Sequence, residues 1–154
     1  MVRPHLEYAN CVWAPIYKRQ SIAIENVQRR ATKLVKELKD LSYSDRMKEL
    51  DIPSLKHRRL RGDLIQTFKI KNCIDDLDWD QFFSPVPLTG TRNSNDNVFI
   101  KFSRTNIRKN CFSNRVAPFW KSLCYASKNA LNVNNFKMHL DREKFMYENK
   151  YVYD

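Results

Sequence analysis

The sequence is poor in the residues that build many common functional sites: it has only 2 glycines, 3 histidines and 4 cysteines. So few glycines disfavour a glycine-rich phosphate loop and the many tight turns of a β-sandwich. The cysteines show no C-x-x-C pairing and the histidines are scattered, so no zinc-binding spacing can be assembled. No apolar run reaches the roughly 18 residues of a membrane-spanning helix, and no membrane span is expected.

The four cysteines have no pairing pattern, which is typical of proteins in a reducing compartment. We expect these thiols to be buried as small apolar residues. The N-terminus lacks a charged head followed by an apolar run, so no signal peptide is predicted. The expected location is intracellular, in the cytoplasm or the nucleus.

Basic residues outnumber acidic ones, which gives a formal net charge of +11. Residues 1–73 carry 16 Lys+Arg against 8 Asp+Glu, and residues 101–154 carry 11 against 4. Residues 74–100 reverse the balance, with 1 against 5. Two basic segments flanking an acidic connector suggest a polyanionic partner, nucleic acid first and an anionic membrane surface second.

Residues 21–38 have the spacing of an amphipathic helix. The apolar residues lie on one stripe at about 100° per residue, and they are Ile24, Val27, Ala31, Leu34, Val35 and Leu38. Arg29, Lys33 and Lys36 fall opposite that stripe, and Arg30 falls on its flank. The pattern predicts a helix that docks on protein with one face and presents cations with the other. An ordinary core helix with a solvated charged face explains this pattern equally well.

A second basic helix is predicted over residues 54–72, with Ser54 as its N-cap. Its apolar stripe consists of Leu60, Leu64 and Phe68. The cations predicted opposite that stripe are Arg58, Arg59 and Lys69. Gly62 lies within this cationic face, where it either allows close approach by another backbone or is a tolerated surface glycine.

Helical spacing is also predicted over residues 2–13, 42–50 and 134–147, and Pro118 is expected to start or kink a helix. The fold class is therefore mainly α: a small helical bundle followed by a loop-linked, partly irregular helical C-terminal segment. The predicted division is a basic helical region (1–73), an acidic and polar connector (74–102), a basic helical segment (103–147) and a frayed tail (148–154). Within the connector, residues 98–102 are predicted to be a strand or an extended arm.

Residues 103–110 combine three cations with short hydrogen-bonding side chains, which is the chemistry of phosphate contacts. The cations are Arg104, Arg108 and Lys109. No nucleophile–base arrangement is visible anywhere in the chain. Asp75-Asp76 superficially resembles the paired aspartates of a two-metal site, but it follows a predicted helix and opens an acidic loop. We interpret the pair as solvated loop residues, and no catalytic or metal-binding residue is predicted.

Five segments together resemble the C-terminal part of reverse transcriptases of jockey-like non-LTR retrotransposons. These segments are VRPHLEYANCVWAP (2–15), IENVQRRATKLV (24–35), LSYSDRMKELDIPSLKHRRLRGDLIQTFKI (41–70), SRTNIRKNCFSNRVAPFWKSL (103–123) and FKMHLD (136–141). The resemblance covers nearly the whole chain in the same order.

The resemblance implies a thumb-like region and the segment downstream of it. The family's catalytic aspartates, and the magnesium they hold, belong to a palm upstream, and the chain itself is expected to hold no cofactor. Because the chain starts inside a predicted helix, we expect a truncated start. The implied partners are RNA or an RNA–DNA duplex, contacted by the helices that carry Arg29 and Arg58, and the missing palm. The alternatives are a helical protein–protein interaction module and a decayed transposon reading frame without a present role.

Overall fold

The computed structural model describes residues 3–84, 98–143 and 146. Within these residues the chain is mainly helical and contains no β-strand, which confirms the predicted fold class. The helices are α1 (Arg3–Glu7), α2 (Lys18–Lys33), α3 (Tyr43–Glu49), α4 (Leu55–Lys71), α5 (Trp79–Phe82), α6 (Asn106–Lys109), α7 (Phe112–Ser122), α8 (Tyr125–Lys128) and α9 (Val133–Arg142), with a 3-10 turn at Lys36–Leu38.

Helix α4 lies at the centre of the core and packs against α1, α7 and α9. Its predicted stripe is confirmed, because Leu64 and Phe68 are fully buried and Leu60 packs against them. The Phe68 ring stacks on Phe136 of α9 with centroids 4.4 Å apart. Trp120 of α7 completes this centre. The two basic segments therefore share one core. The residue limits that the sequence predicted for the four regions of the chain stay a prediction.

The connector packs against the same core through aromatic rings. Trp79 of α5 lies 4.3 Å from Phe83 and 6.1 Å from Trp120, measured between ring centroids. Val98 is buried, and the backbone N–H of the next residue donates to Ser84 O at 2.9 Å. Residues 99–102 form no strand. The polar loop over residues 85–97 and the predicted tail lie outside the described residues.

Several helix limits differ from the predicted ones. Helix α1 ends at Glu7 because Ala9 has a left-handed backbone (φ 48°), which stops the helix predicted over residues 2–13. Helix α7 begins at Phe112 and runs through Pro118, so a helix start at this proline is wrong, and the alternative, a kink there, stays a prediction. Helix α9 ends at Arg142, short of the predicted limit.

Among the described residues, three other than glycine have a left-handed backbone, and each lies two positions after the last residue of a helix. Asp51 (φ 44°) comes just after α3, and Cys73 (φ 51°) just after α4. A glycine takes this position in many proteins because it has no Cβ to clash with the backbone. In this glycine-poor chain each such turn costs about 1 kcal/mol of conformational strain.

The face of α2 that is buried is not the apolar stripe that the sequence predicted. The buried residues of α2 are Gln28 and Thr32, whereas Val27 is 45% exposed and Leu34 83% exposed. Gln28 Nε2 donates to the hydroxyl of Tyr43 at 3.1 Å, and its Oε1 accepts from Arg58. A polar side chain can be buried where its hydrogen bonds are satisfied, and here such bonds outweigh the apolar pattern.

Candidate nucleic-acid interface

Arg58 and Arg59 of α4 lie in the interior, at 7% and 8% exposure. Arg58 Nη1 pairs with Glu7 Oε1 at 2.7 Å. Arg59 Nη2 donates to Leu6 O at 2.8 Å, and its guanidinium lies 4.1 Å from the centre of the Trp13 ring. Burial lowers the pKa of Arg59. The predicted exposed cationic face of α4 is therefore wrong, because these two arginines hold the segment that precedes α2.

A polar network centred on Asp63 joins α4 to α7 and to that same segment. Arg115 donates to both carboxylate oxygens of Asp63, from Nε at 2.8 Å and from Nη2 at 2.9 Å. Its Nη2 also donates to Asn10 O at 2.6 Å, and Asn10 Nδ2 donates to Arg59 O at 2.9 Å. Burial raises the pKa of Asp63, whereas the Arg115 guanidinium opposes that rise.

Gly62 shows why the network fits together. A Cβ at this position would lie 2.6 Å from Asn10 Nδ2, closer than real Cβ atoms come to such a neighbour. The group that approaches Gly62 closely is therefore the side chain of Asn10 and not another backbone. A glycine has no Cβ and so leaves room for this side chain. This glycine was the only signal in the sequence for the network. Sequence reasoning missed Asp63, Arg115 and Asn10 because they are distant from each other along the chain.

The cations of α2 and of the turn after it are exposed to solvent, unlike the two arginines of α4. Arg29, Arg30, Lys33 and Lys36 are all exposed. None of the four forms an ion pair with a residue that the structure describes. The Arg29 guanidinium lies 4.8 Å from the centre of the Tyr43 ring, so one face is covered and its N–H edges stay in solvent. We call these four residues the α2 cation row.

The remaining predicted cations divide into two groups. Arg104, Arg108 and Lys109 are exposed and unpaired among the described residues. Lys69 is half-buried, and its Nζ lies 3.5 Å from Asp75 Oδ1. Asp75 also accepts a hydrogen bond from Gln66 at 2.7 Å, which places it in local contacts with α4. Within the described part of the chain, no three His, Cys, Asp or Glu side chains converge in a way that could hold a metal ion.

A groove of about 570 Å³ lies between α2 and α4. Its polar wall includes Asp63 and Arg115, which neutralise each other. The apolar residues that line it are Ala14, Pro15, Ile22, Ile24, Leu55, Leu60 and Phe119. Because Asp63 and Arg115 are paired with each other, we assign the groove no reaction.

The thiols are more exposed than the sequence predicted. Cys73, Cys111 and Cys124 are exposed and Cys11 is half-buried, so the prediction of four buried thiols is wrong. Cys124 Sγ accepts a hydrogen bond from the N–H of Ser127 at 3.4 Å and caps α8, a position at a helix end and near solvent. Burial and the Asp63 carboxylate raise the pKa of Cys11 to about 12.

Comparison with known proteins gives no identification, since no family model, curated protein or solved structure matches the chain. Among the helices that the structure describes, none is both long enough and apolar enough to cross a lipid bilayer.

Proposed function

We propose that the chain binds the phosphate backbone of RNA or an RNA–DNA duplex, without sequence preference, through the α2 cation row. The observation that carries the proposal is the combination of four exposed cations and no carboxylate partner among the described residues. A net charge of +11 adds a long-range attraction for polyanions. Contacts of this type set the position of a duplex and do not read its sequence.

The resemblance to jockey-like reverse transcriptases supports the choice of nucleic acid. We propose that the chain corresponds to the thumb and downstream part of such an enzyme, that it acts inside the cell, and that a separate palm is its second partner. The chain would then hold the duplex, while polymerisation and the magnesium it needs would belong to the palm. Asp75 supports this division of roles, because it contacts Lys69 and Gln66.

The chemistry of the row suits phosphate oxygens. Arg29 and Lys33 are one helical turn apart, a spacing that brings their side chains to the same side of α2. An arginine fork donates two parallel hydrogen bonds to a phosphate, and a lysine supplies a compact point charge. The stacking of Arg29 on Tyr43 holds the fork in place, which reduces the entropy lost on binding.

The experiment is a salt titration of binding to a fluorescent RNA–DNA duplex. Each neutralised phosphate contributes about 0.9 to the slope of log K against log salt on a B-form duplex. Arg29→Ala with Lys33→Ala should lower the slope by up to about two. The matched control, Lys121→Ala with Arg142→Ala, removes the same charge from exposed positions at the ends of α7 and α9.

The control pair should leave the slope close to that of the wild type. If the α2 pair and the control pair change the slope equally, binding is diffuse and the α2 row is an ordinary solvated face. The proposal also fails if the duplex does not bind at low salt.

A second candidate function is docking of another protein on α2. The observation in its favour is that Val27 of α2 and Leu34, the C-cap of that helix, are exposed and lie two turns apart on one side. Their replacement by serine should abolish such docking and leave the salt slope for the duplex unchanged. Loss of duplex binding in the serine variants would instead assign these residues to the nucleic-acid surface.

A further inference from the structure

Residues 99–109, which we call the aromatic arm, expose an unusual number of large apolar side chains. Phe102 is 86% exposed and Ile107 is 68% exposed. Phe99 and Ile100 are also exposed, at 47% and 43%. Single exposed apolar residues are common on proteins, but several within one short segment mark a binding surface.

The backbone of the arm is held at both ends. Val98, just before it, is buried in the core, and the N–H of Phe99 donates to Ser84 O at 2.9 Å. Further along, Asn114 Nδ2 of α7 donates to Ser103 Oγ at 3.2 Å and to Arg108 O at 2.8 Å. Phe102 thus extends into solvent between two fixed points, so little backbone entropy is lost when its ring binds a ligand.

The charged side chains of the arm, and of the chain that follows it to residue 140, have one sign. Residues 97–140 contain no Asp or Glu. The exposed cations of the arm are Lys101, Arg104, Arg108 and Lys109, and none of them forms an ion pair with a described residue. An exposed aromatic ring among unpaired cations is the combination with which proteins bind single-stranded nucleic acid, since bases stack on the ring while the cations contact phosphates.

We infer that the aromatic arm is a second nucleic-acid site, which binds single strands by stacking a base on Phe102 and contacting phosphates through Arg104 and Arg108. The inference depends on the proposed function only in taking nucleic acid as the ligand class. It differs in strand type and in residues, because the α2 row contacts a backbone and the arm contacts bases. A protein partner fits less well, since a typical protein interface has few cations without carboxylate partners at its centre.

The experiment measures binding of a 12-nucleotide RNA without self-complementarity that contains one fluorescent adenine analogue. Stacking on an aromatic ring changes the emission of the analogue, so the signal reports the contact itself. Phe102→Ala should weaken binding about 5- to 150-fold, the range that one base–aromatic stack supplies. The salt slope should not change, because the charge is intact. Phe102→Trp keeps an aromatic ring for stacking, so this variant should show the affinity and the emission change that Phe102→Ala loses.

Two further variants separate stacking from charge and from simple apolar contact. Leu131→Ala removes an exposed apolar side chain outside the arm and should leave the affinity unchanged. Arg104→Ala with Arg108→Ala should lower the salt slope for the single strand by up to about 1.4, at about 0.7 per contact. A blunt RNA–DNA duplex should bind to Phe102→Ala as it binds to the wild type.

Equal affinity of wild type and Phe102→Ala for the single strand overturns the inference. It is also overturned if Leu131→Ala weakens binding as much as Phe102→Ala, or if Phe102→Ala changes only self-association of the chain. A different outcome is that Arg29→Ala with Lys33→Ala leaves the salt slope for the duplex unchanged while Phe102→Ala weakens binding of the single strand. That outcome would contradict the proposed function and support the inference about the aromatic arm.

Discussion

Helices α2 and α4 carry their arginines with the same helical spacing, yet the two helices place them in opposite environments. Arg58 and Arg59 of α4 are buried and bound to other parts of the chain. Arg29 and Arg30 of α2 are exposed and make no ion pair with a described residue.

The difference comes from what covers each helix. The segment before α2 lies over α4 and supplies Glu7, the carbonyl of Leu6 and the ring of Trp13 to the two arginines. A buried cation is tolerated where a carboxylate, carbonyls or an aromatic face replace water. A basic helical face is therefore a binding surface only where no other segment of the chain satisfies its cations, and spacing alone does not reveal this.

The largest expected effect comes from Asp63, which sits at the centre of the α4 network. Asp63→Ala leaves Arg115 and Arg59 without their shared carboxylate, and the free energy of unfolding should fall by about 3–5 kcal/mol. Urea denaturation measures this change. The control is Asp141→Ala, which breaks the solvent-exposed pair with Arg61 and should cost no more than about 1 kcal/mol. Equal losses in the two variants would show that the Asp63 network is not buried.

A matched pair of leucines compares the apolar positions of the two helices. Leu64→Ala in α4 should cost about 2–5 kcal/mol, because the side chain is fully buried. Leu34→Ala just after α2 should change the free energy of unfolding by less than about 0.5 kcal/mol, because that side chain is 83% exposed. A large loss for Leu34→Ala would mean that the apolar pattern of α2 describes its buried face after all.

Gly62 tests the close contact between α4 and the segment over it. Gly62→Ala should destabilise the chain by about 1–3 kcal/mol despite the better helix propensity of alanine, because Asn10 must move. In an Asn10→Ala background the same change should instead stabilise by up to about 1 kcal/mol, since the propensity gain remains and the clash is gone. Thermal or urea unfolding of the four variants of this cycle gives both values. If Gly62→Ala changes the free energy of unfolding with the same sign in both backgrounds, the close contact with Asn10 is contradicted.

The smallest expected effect on stability belongs to the α2 row. Arg29→Ala with Lys33→Ala should alter the free energy of unfolding by less than about 0.5 kcal/mol, because both side chains are exposed. Arg58→Ala in α4 should cost about 1–3 kcal/mol, because Glu7 and Gln28 lose a charged partner. If Arg29→Ala with Lys33→Ala lowers the free energy of unfolding as much as Arg58→Ala, the cations of the α2 row also stabilise the fold.

The sequence predicted those features that depend on neighbours along the chain. Ser54 caps α4 as expected, and the stripe containing Leu64 and Phe68 is the core face of α4. Capping and helical periodicity act over three or four residues, so a single stretch contains all the information they need. The mainly α class followed from such stretches.

The features that the sequence did not predict depend on distant partners. Arg115 reaches Asn10, which is 105 positions away along the chain, and Arg59 reaches Leu6 across 53 positions. Gln28 is buried because Arg58 and Tyr43 satisfy its amide. For the candidate site, spacing correctly predicted that the cations of the α2 row are exposed, although it misplaced the buried face of α2. Their role in binding nucleic acid stays a prediction.

Arginine modification tests most directly which of these cations face a polyanion. Phenylglyoxal reacts with accessible guanidinium groups, and peptide mass spectrometry gives the rate at each site in the folded wild-type chain. In the free protein, Arg29 and Arg30 should react quickly and Arg58 and Arg59 slowly. A saturating RNA–DNA duplex should slow the reaction at the first two only, while exposed Arg142 reacts equally in both samples. Rapid reaction at Arg58 and Arg59 in the free folded chain, or equal rates at Arg29 and Arg30 with and without the duplex, would contradict the account.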